Sequence, residues 1–160
     1  MAVSFDRVAG IYDATRWSGF PPEILKKLLS AMKETLAGSR TILDVGIGTG
    51  RFAEYLNDSG FNVVGIDVSL SMMAKAREKR LQNLVQADAH HLPFRDQAFD
   101  GTIMIHVLHL VRNWAEVVGE VGRVTRNVIV AEIEGGERVQ PESEILGAKA
   151  GDGLSSGSTQ

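Results

Sequence analysis

The sequence predicts a doubly wound α/β domain with a mostly parallel sheet of about five strands. From Arg40 onward, short apolar runs alternate with stretches of helical periodicity, which is typical of strands separated by crossover helices. The runs carry apolar residues at successive positions, as strands do when helices cover both faces of a sheet. The first run leads into three closely spaced glycines, at positions 46, 48 and 50, just before a helical stretch.

Two helices are predicted before the sheet begins. Phe5, Val8 and Tyr12 recur at helical spacing, which predicts a short amphipathic helix over residues 3–17. The stretch Pro22–Leu36 begins with a proline, which a first helical turn tolerates, and continues with an apolar stripe. It therefore predicts a second, longer helix.

Strands and helices are then predicted in alternation. The predicted strands cover Thr41–Val45, Asn62–Ile66, Asn83–Ala87, Phe99–Ile105 and Asn127–Ile133. The predicted helices cover Arg51–Asn57, Ser71–Arg80 and a stretch that includes Trp114 and Val121. Right-handed crossovers bring the carboxyl ends of such strands to one edge of the sheet, where ligands bind in these folds.

Composition divides the chain into one domain and a polar tail. Residues 1–133 hold the predicted elements, with about residues 1–38 forming an N-terminal helical lid. Residues 134–160 contain six glycines and four serines, so we expect a mostly disordered tail. The fifth strand would then be an unpaired edge of the sheet, which predicts a homodimer through that edge.

Charge and composition exclude several classes of protein. The formal net charge is -3 and most basic residues are scattered, so the footprint of a nucleic-acid-binding protein is missing. The chain has no cysteine, which excludes a disulfide scaffold and is typical of the reducing cytoplasm. No apolar run is long enough to span a membrane, and the four histidines show no recognised metal-ligand spacing. We expect a soluble, cytoplasmic protein with a small-molecule ligand and no metal.

The strongest local signal is the glycine loop at Gly46, Gly48 and Gly50, preceded by Asp44. A strand that enters a glycine turn and then a helix directs backbone N–H groups toward the ligand edge. A dinucleotide fingerprint needs a further glycine where this sequence has Arg51. The acid at position 44 favours a ligand that carries an amino group. An ordinary tight turn between strand and helix is the alternative.

Two further acids follow the next two predicted strands. Asp67 lies 21 positions after Gly46, and Asp88 lies 21 positions after Asp67. A carboxylate beside the glycine loop can accept both hydroxyls of a ribose. Asp88 can accept from an adenine amino group while the N–H of Ala89 donates to a ring nitrogen. The alternative for Asp67 is capping of the next helix, although Ser69 is the better cap.

Together these motifs resemble class I S-adenosylmethionine-dependent methyltransferases of the type 11 group, related to the ubiquinone and menaquinone C-methyltransferases. The segments that carry the resemblance are Leu43–Gly50, Val64–Asp67, Asp88–Asp100 and Phe5–Asp13. The resemblance implies a Rossmann-like fold, S-adenosylmethionine as cofactor and a small-molecule methyl acceptor. The family adds two strands after the fifth, one of them antiparallel, and we expect these C-terminal strands to be missing here.

The resemblance also implies roles for individual residues. The loop Asp44–Gly50 would hold the methionine moiety of the cofactor. Asp67 would hold the ribose diol, with Val68 beside it. Asp88 and Ala89 would hold the adenine.

The lid and the fourth strand complete the implied site. Tyr12 would close over the cofactor, and Met72 would pack on the adenine, with a core contact as the alternative for Met72. Ile105 or His106 would face the methionine part and the acceptor. Methyl transfer from a sulfonium needs a general base only when the acceptor must lose a proton. His106 is the predicted base because it follows a strand end at the ligand edge.

Two other functions stay open at this point. Because the C-terminal strands are expected to be missing, the domain can be a cofactor-binding or interaction module without turnover. The second alternative is an NAD(P)-dependent oxidoreductase, which Arg51 in place of a glycine disfavours.

Overall fold

The computed structural model describes residues 5, 7–16, 21–132 and 145–149. Its helices are α1 (Tyr12–Arg16), α2 (Pro22–Thr35), α3 (Arg51–Asp58), α4 (Leu70–Glu78) and α5 (Trp114–Val124), with a 3-10 helix at Leu108–Leu110. Its strands are β1 (Thr41–Val45), β2 (Asn62–Asp67), β3 (Leu84–Gln86), β4 (Phe99–Met104), β5 (Thr125–Glu132) and β6 (Ile145–Lys149). Among the helices of this described part, none is both long and apolar enough to cross a bilayer.

One sheet organises the fold, with its six strands in the order β3-β2-β1-β4-β5-β6. The first five strands are parallel, which confirms the predicted fold class. β1 has β2 on one side and β4 on the other, so the strand order switches direction at β1. The crevice at such a switch point is where ligands bind in open α/β sheets.

The far edge of the sheet differs from the prediction. β6 pairs antiparallel with β5, with Ile145 opposite Glu132. The prediction that the fifth strand is an unpaired edge is therefore wrong, and the basis for a homodimer through that edge is removed. Of the predicted tail 134–160, residues 145–149 form a strand and the rest lies outside the described residues. The sequence did not predict this strand because Gly147 and Ala148 have low strand propensity and weaken the strand pattern.

Two apolar clusters cover the two faces of the sheet, and β1 contributes to both. Ile42 packs with side chains of α2, α3 and α4 on one face. Leu43 and Val45 pack with α5 on the other face. Because successive side chains of a strand point to opposite faces, this short central strand fixes both layers and holds its own carboxyl end in place.

The N-terminal segment begins its helix later than predicted. Of the described residues within the predicted range 3–17, those of α1 are helical. Before α1, two backbone hydrogen bonds of 3.0 Å span three residues each, from Val8 to Phe5 and from Ile11 to Val8. Gly10 lies in this stretch, and a glycine costs a helix about 1 kcal/mol relative to alanine, which favours turns here.

Candidate cofactor site

The predicted strand tips open onto one cavity of about 400 Å³, which is the size of a small-molecule pocket. Of the predicted site residues, those that line it are Tyr12, Gly46, Gly48, Asp67, Val68, Met72, Asp88, Ala89, Ile105 and His106. Asp44 and Gly50 were also predicted but do not line it. Thr49, which belongs to the predicted loop Asp44–Gly50, also lines it. Lining residues that the sequence did not predict include Phe5, Arg51, Phe52, Val107, Leu110, Val111, Arg112 and Asn113. The structure therefore brings the three tips together on one concave site.

The glycine loop is held by hydrogen bonds within the protein. The N–H groups of Gly46 and Ile47 both donate to the carbonyl of Ile66, at 2.9 Å. The N–H of Gly48 donates to Oδ2 of Asp67, also at 2.9 Å. The expectation that the loop directs its N–H groups at a ligand is wrong for these three amides. A dinucleotide-binding loop presents such amides to phosphate, so this geometry disfavours the NAD(P)-dependent alternative.

Two positions of the loop require glycine, because the backbone there is left-handed and a neighbouring side chain leaves no room for a Cβ. Gly46 has a φ of 72°, and a Cβ there would collide with Cγ2 of Val107. Gly50 has a φ of 81°, and a Cβ there would collide with Cδ1 of Leu81. Gly50 therefore allows α3 to start close to the end of α4. Because Gly50 faces α4, it does not line the cavity.

Asp67 joins the glycine loop to the turn after β2. Its Oδ1 accepts from the N–H of Ser69 at 2.9 Å, while Oδ2 accepts from Gly48. The cap of α4 is Ser69, whose Oγ accepts from the N–H of Met72 at 3.2 Å. Asp67 is thus not the helix cap, and its carboxylate is fixed at the cavity wall.

Asp44 lies buried beneath the loop. Burial raises the pKa of Asp44 to about 8, and the negative charge of Asp67 contributes to the rise. Asp44 is therefore mostly protonated near neutral pH in the ligand-free protein. A cationic ligand group nearby would favour its charged form.

Asp88 also lines the cavity. Its Oδ1 accepts from the backbone N–H of His90 at 2.9 Å and lies 2.6 Å from Nδ1 of the same residue. These backbone and side-chain contacts hold the pKa of Asp88 below its usual value. Asp88 is therefore a carboxylate at neutral pH, and His90 is engaged with it.

The loop that follows Asp88 is braced by α5. Arg123 donates to the carbonyls of Phe94 at 2.7 Å and of Leu92 at 3.0 Å. Glu120 accepts from the N–H of Leu92 at 2.8 Å. Hydrogen bonds from Arg123 and Leu92 lower the pKa of Glu120 to about 2, so it stays ionised and the brace is intact at neutral pH.

The N-terminal helix is tied to the cavity by one acid. Asp13 accepts from Oγ1 of Thr49 and from Nζ of Lys79, each at 2.5 Å. Burial raises the pKa of Asp13, but the hydrogen bonds from Lys79 and Thr49 outweigh it and hold the pKa below its usual value. Tyr12 lines the cavity, and its ring contacts Phe5 edge-on with centroids 5.8 Å apart. Tyr12 therefore lies at the cavity wall, and its closing over a cofactor stays a prediction.

His106 follows β4 in a turn with a φ of 58°, and its side chain lines the cavity. Its Nδ1 lies 2.9 Å from Oε2 of Glu132 at the end of β5. The sequence analysis did not predict Glu132 as a site residue, although an acid near the end of the fifth predicted strand could have indicated it. His109 lies on the 3-10 helix and is exposed.

Comparison with known proteins identifies the family. The sequence model described as a methyltransferase domain matches residues 43–128, a range that contains all three strand tips. The chain belongs to the methyltransferase domain family. S-adenosylmethionine is the cofactor of this family.

Individual relatives of this chain are also methyltransferases. Malonyl-(acyl-carrier protein) O-methyltransferase of Pectobacterium atrosepticum is 32% identical over 131 residues, which cover 79% of this chain and 49% of that protein. Demethylmenaquinone methyltransferase of Renibacterium salmoninarum is 32% identical over 146 residues, which cover 82% of this chain and 58% of that protein. A solved SAM-dependent methyltransferase of Thermotoga maritima superposes with a TM-score of 0.63 and 25% identity, covering 81% of this chain and 59% of that one. The chain thus spans 49% to 58% of the length of these two curated methyltransferases.

Proposed function

We propose that this chain binds S-adenosylmethionine in the cavity and transfers its methyl group to a small-molecule acceptor. The observation that carries the proposal is the convergence of Gly48, Asp67 and Asp88 on one concave site. Membership of the methyltransferase domain family supports the same conclusion.

The chemistry of the cavity fits this cofactor, which carries a cationic sulfonium and an amino-acid end. Asp67 and Asp88 supply carboxylates at the wall, and Asp44 lies beneath the loop. Opposite charge stabilises a bound cation and the carboxylates together. The amides of Gly46, Ile47 and Gly48 donate to groups within the protein, which favours a ligand without phosphates.

Each part of the cofactor has residues that suit it. Asp67 is a fixed acceptor for the ribose hydroxyls, and Asp88 with the N–H of Ala89 suits the adenine edge. The loop around Gly46, with Asp44 beneath it, suits the amino-acid end. Apolar side chains then exclude water from the cofactor. They belong to Tyr12, Val68, Met72 and Ile105.

The protein's part in the reaction is to position and shield. When bound, S-adenosylmethionine supplies a methyl group activated by a sulfonium. Leu110 and Val111 add apolar wall, and Arg112 and Asn113 add polar groups, in the same cavity as His106. We assign the acceptor to this side of the cavity, where the chain can hold it in line with the methyl group.

The test is methyl transfer from labelled S-adenosylmethionine, followed as S-adenosylhomocysteine formed. The named relatives act on a malonyl group and on demethylmenaquinone, which gives two acceptor classes to offer: a malonyl thioester and a naphthohydroquinone. Turnover that Asp67→Ala lowers, and that the exposed control Asp58→Ala leaves unchanged, would support the proposal. Cofactor binding with no turnover on any acceptor would favour a binding module instead.

A further inference from the structure

His106 follows β4 by two residues and contacts Glu132, the last residue of β5, beside the cavity that His106 lines. Nδ1 of His106 lies 2.9 Å from Oε2 of Glu132, and the two side chains are 13% and 8% exposed. They meet because β4 and β5 are parallel neighbours, with Met104 opposite Ala131. The contact is therefore fixed by two adjacent strand tips.

Stability alone does not account for this pair. Burying a carboxylate is strongly unfavourable unless a partner offsets the lost hydration. Apolar side chains of similar volume generally stabilise a buried position at least as well as an ion pair does. A carboxylate that packs against the imidazole of His106 beside a ligand cavity therefore indicates a role in the chemistry of that histidine.

The backbone at His106 supports the same conclusion. Its φ of 58° lies in the left-handed region, which residues other than glycine rarely adopt. Such strain clusters at sites where the surrounding structure fixes a side chain for function. The imidazole lines the cavity while Nδ1 faces Glu132, so Nε2, across the ring, is the nitrogen that can serve a ligand.

The contact between the two side chains is short but bent. At 2.9 Å the two atoms are within ion-pair distance, yet their angle falls outside hydrogen-bond geometry. Catalytic hydrogen bonds are often poorly aligned before substrate binds and tighten in the complex. Rotation of the imidazole about its side-chain bonds changes this angle without moving either strand.

Other titratable groups surround the pair. His109 packs edge-on against His106, with ring centroids 6.5 Å apart. The cavity wall also carries charged or titratable side chains from several elements. They are Tyr12, Arg51, Asp67, Asp88, His90 and Arg112. Because all of these affect a pH profile, the position of the proton on the imidazole is the more direct measurement.

We infer that Glu132 is a positioning residue that holds His106 as the general base, and that the acceptor reacts through a hydroxyl protonated at neutral pH. This inference rests on the proposed methyl transfer. In the step, the O–H bond of the acceptor breaks and its proton passes to Nε2 of His106. The acceptor oxygen forms the bond to the methyl carbon, and the electron pair of the broken carbon–sulfur bond stays on sulfur. Glu132 stabilises the imidazolium that forms.

The acceptor class follows from the need for a base. A hydroxyl that holds its proton at neutral pH is a poor nucleophile until a base removes that proton. A carboxylate is already ionised there and needs none. The pair of His106 and Glu132 therefore favours phenols, hydroquinones and enols over carboxylic acids.

The first test reads the tautomer of His106 in the ligand-free full chain by long-range ¹H–¹⁵N NMR, at about pH 8, where a typical imidazole is neutral. We expect the proton on Nδ1, with His106→Asn identifying the signals by their loss. Glu132→Met should move the proton to Nε2, and the exposed control Glu116→Met should not. A wild-type His106 with its proton on Nε2 would overturn the inference, and that result needs no variant to fold.

The second test compares two acceptors, a naphthohydroquinone and a malonyl thioester. We expect transfer to an oxygen of the hydroquinone and not to a ring carbon, with kcat lowered at least about tenfold by Glu132→Met and about 100- to 10,000-fold by His106→Asn. KM for the acceptor and the calorimetric affinity for S-adenosylmethionine should stay unchanged in Glu132→Met, because Glu132 does not line the cavity. Preference for the malonyl carboxylate, or a raised KM with normal kcat, would overturn the inference.

The two proposals fail in different ways. Absence of S-adenosylmethionine binding counts against the proposed function, whatever the tautomer. Binding and transfer with the proton of His106 on Nε2 count against the role of Glu132 alone.

Discussion

The backbone N–H of Gly48 donates to Oδ2 of Asp67 across 2.9 Å, so the loop after β1 and the tip of β2 are joined through one side chain. The other oxygen of the same carboxylate accepts from Ser69. A change at Asp67 therefore affects both the wall of the cavity and the shape of the glycine loop.

Asp67→Ala should weaken S-adenosylmethionine binding about ten- to a hundredfold, or roughly 1.5–3 kcal/mol, because charged hydrogen bonds are lost. Isothermal titration calorimetry measures this directly. Asp58→Ala, an exposed acid at the end of α3, is the matched control. Unchanged affinity in Asp67→Ala would mean that Asp67 only holds the glycine loop and does not contact the cofactor.

Gly46→Ala should lower the free energy of unfolding by about 2–4 kcal/mol, because it combines a left-handed backbone with a collision against Val107. Gly60→Ala is the control, since Gly60 has a φ of 94° but open space where a Cβ would lie. Its cost should be only about 1–2 kcal/mol. Denaturant unfolding compares the two.

The same position offers a rescue experiment. Val107→Ala removes the Cγ2 atom that a Cβ at position 46 would meet. The double variant should therefore lose less stability than the sum of the two single changes. Strict additivity would argue against a collision between these two positions.

Asp44 should make the ligand-free protein less stable as the pH rises from about 5 to about 8. The pKa of Asp44 is raised from 3.8 to about 8 by burial and by the charge of Asp67. Over this interval the native state keeps a proton that the unfolded chain has lost. The free energy of unfolding therefore falls with pH, by up to about 1.4 kcal/mol per unit.

Asp44→Asn isolates this contribution, because the amide cannot titrate. Denaturant unfolding at the two ends of the interval should show a larger loss in wild type than in Asp44→Asn. Groups that are common to both proteins cancel in the difference. Equal losses would mean that Asp44 is already ionised in the native state.

Lys79→Met should loosen α1, because Lys79 and Thr49 are the hydrogen-bond donors to Asp13. A partly exposed ion pair contributes up to about 1 kcal/mol, so amide exchange at Thr15 should accelerate up to about fivefold. Hydrogen exchange followed by NMR measures it. Lys75→Met, which removes an exposed pair with Glu78 at 3.0 Å, should leave that exchange unchanged.

The parallel part of the fold was readable from sequence because its signals are local. Alternating apolar runs and helical stretches placed all five parallel strands, and β1 has the predicted bounds Thr41–Val45. The acids at 67 and 88 could be assigned to one edge because parallel strands point the same way. β6 was missed because its short, glycine-containing run has little pattern of its own.

The remaining features depend on tertiary contacts that no spacing encodes. The inward direction of the amides at Gly46 and Gly48 is set by acceptors on β2. The sequence shows that position 44 is an acid, but the burial of Asp44 beneath the loop follows from packing. His106 and Glu132 are 26 residues apart in the sequence. They come into contact because β4 and β5 are neighbours in the sheet, and the strand order is not visible in the sequence.

A crystal structure of the full chain with S-adenosylhomocysteine tests the central claim most directly. We predict the ligand in the cavity lined by Gly48, Asp67 and Asp88, with its ribose hydroxyls on the carboxylate of Asp67 and its adenine beside Asp88. A ligand bound elsewhere, or bound in the cavity without contact to either carboxylate, would contradict the proposed site.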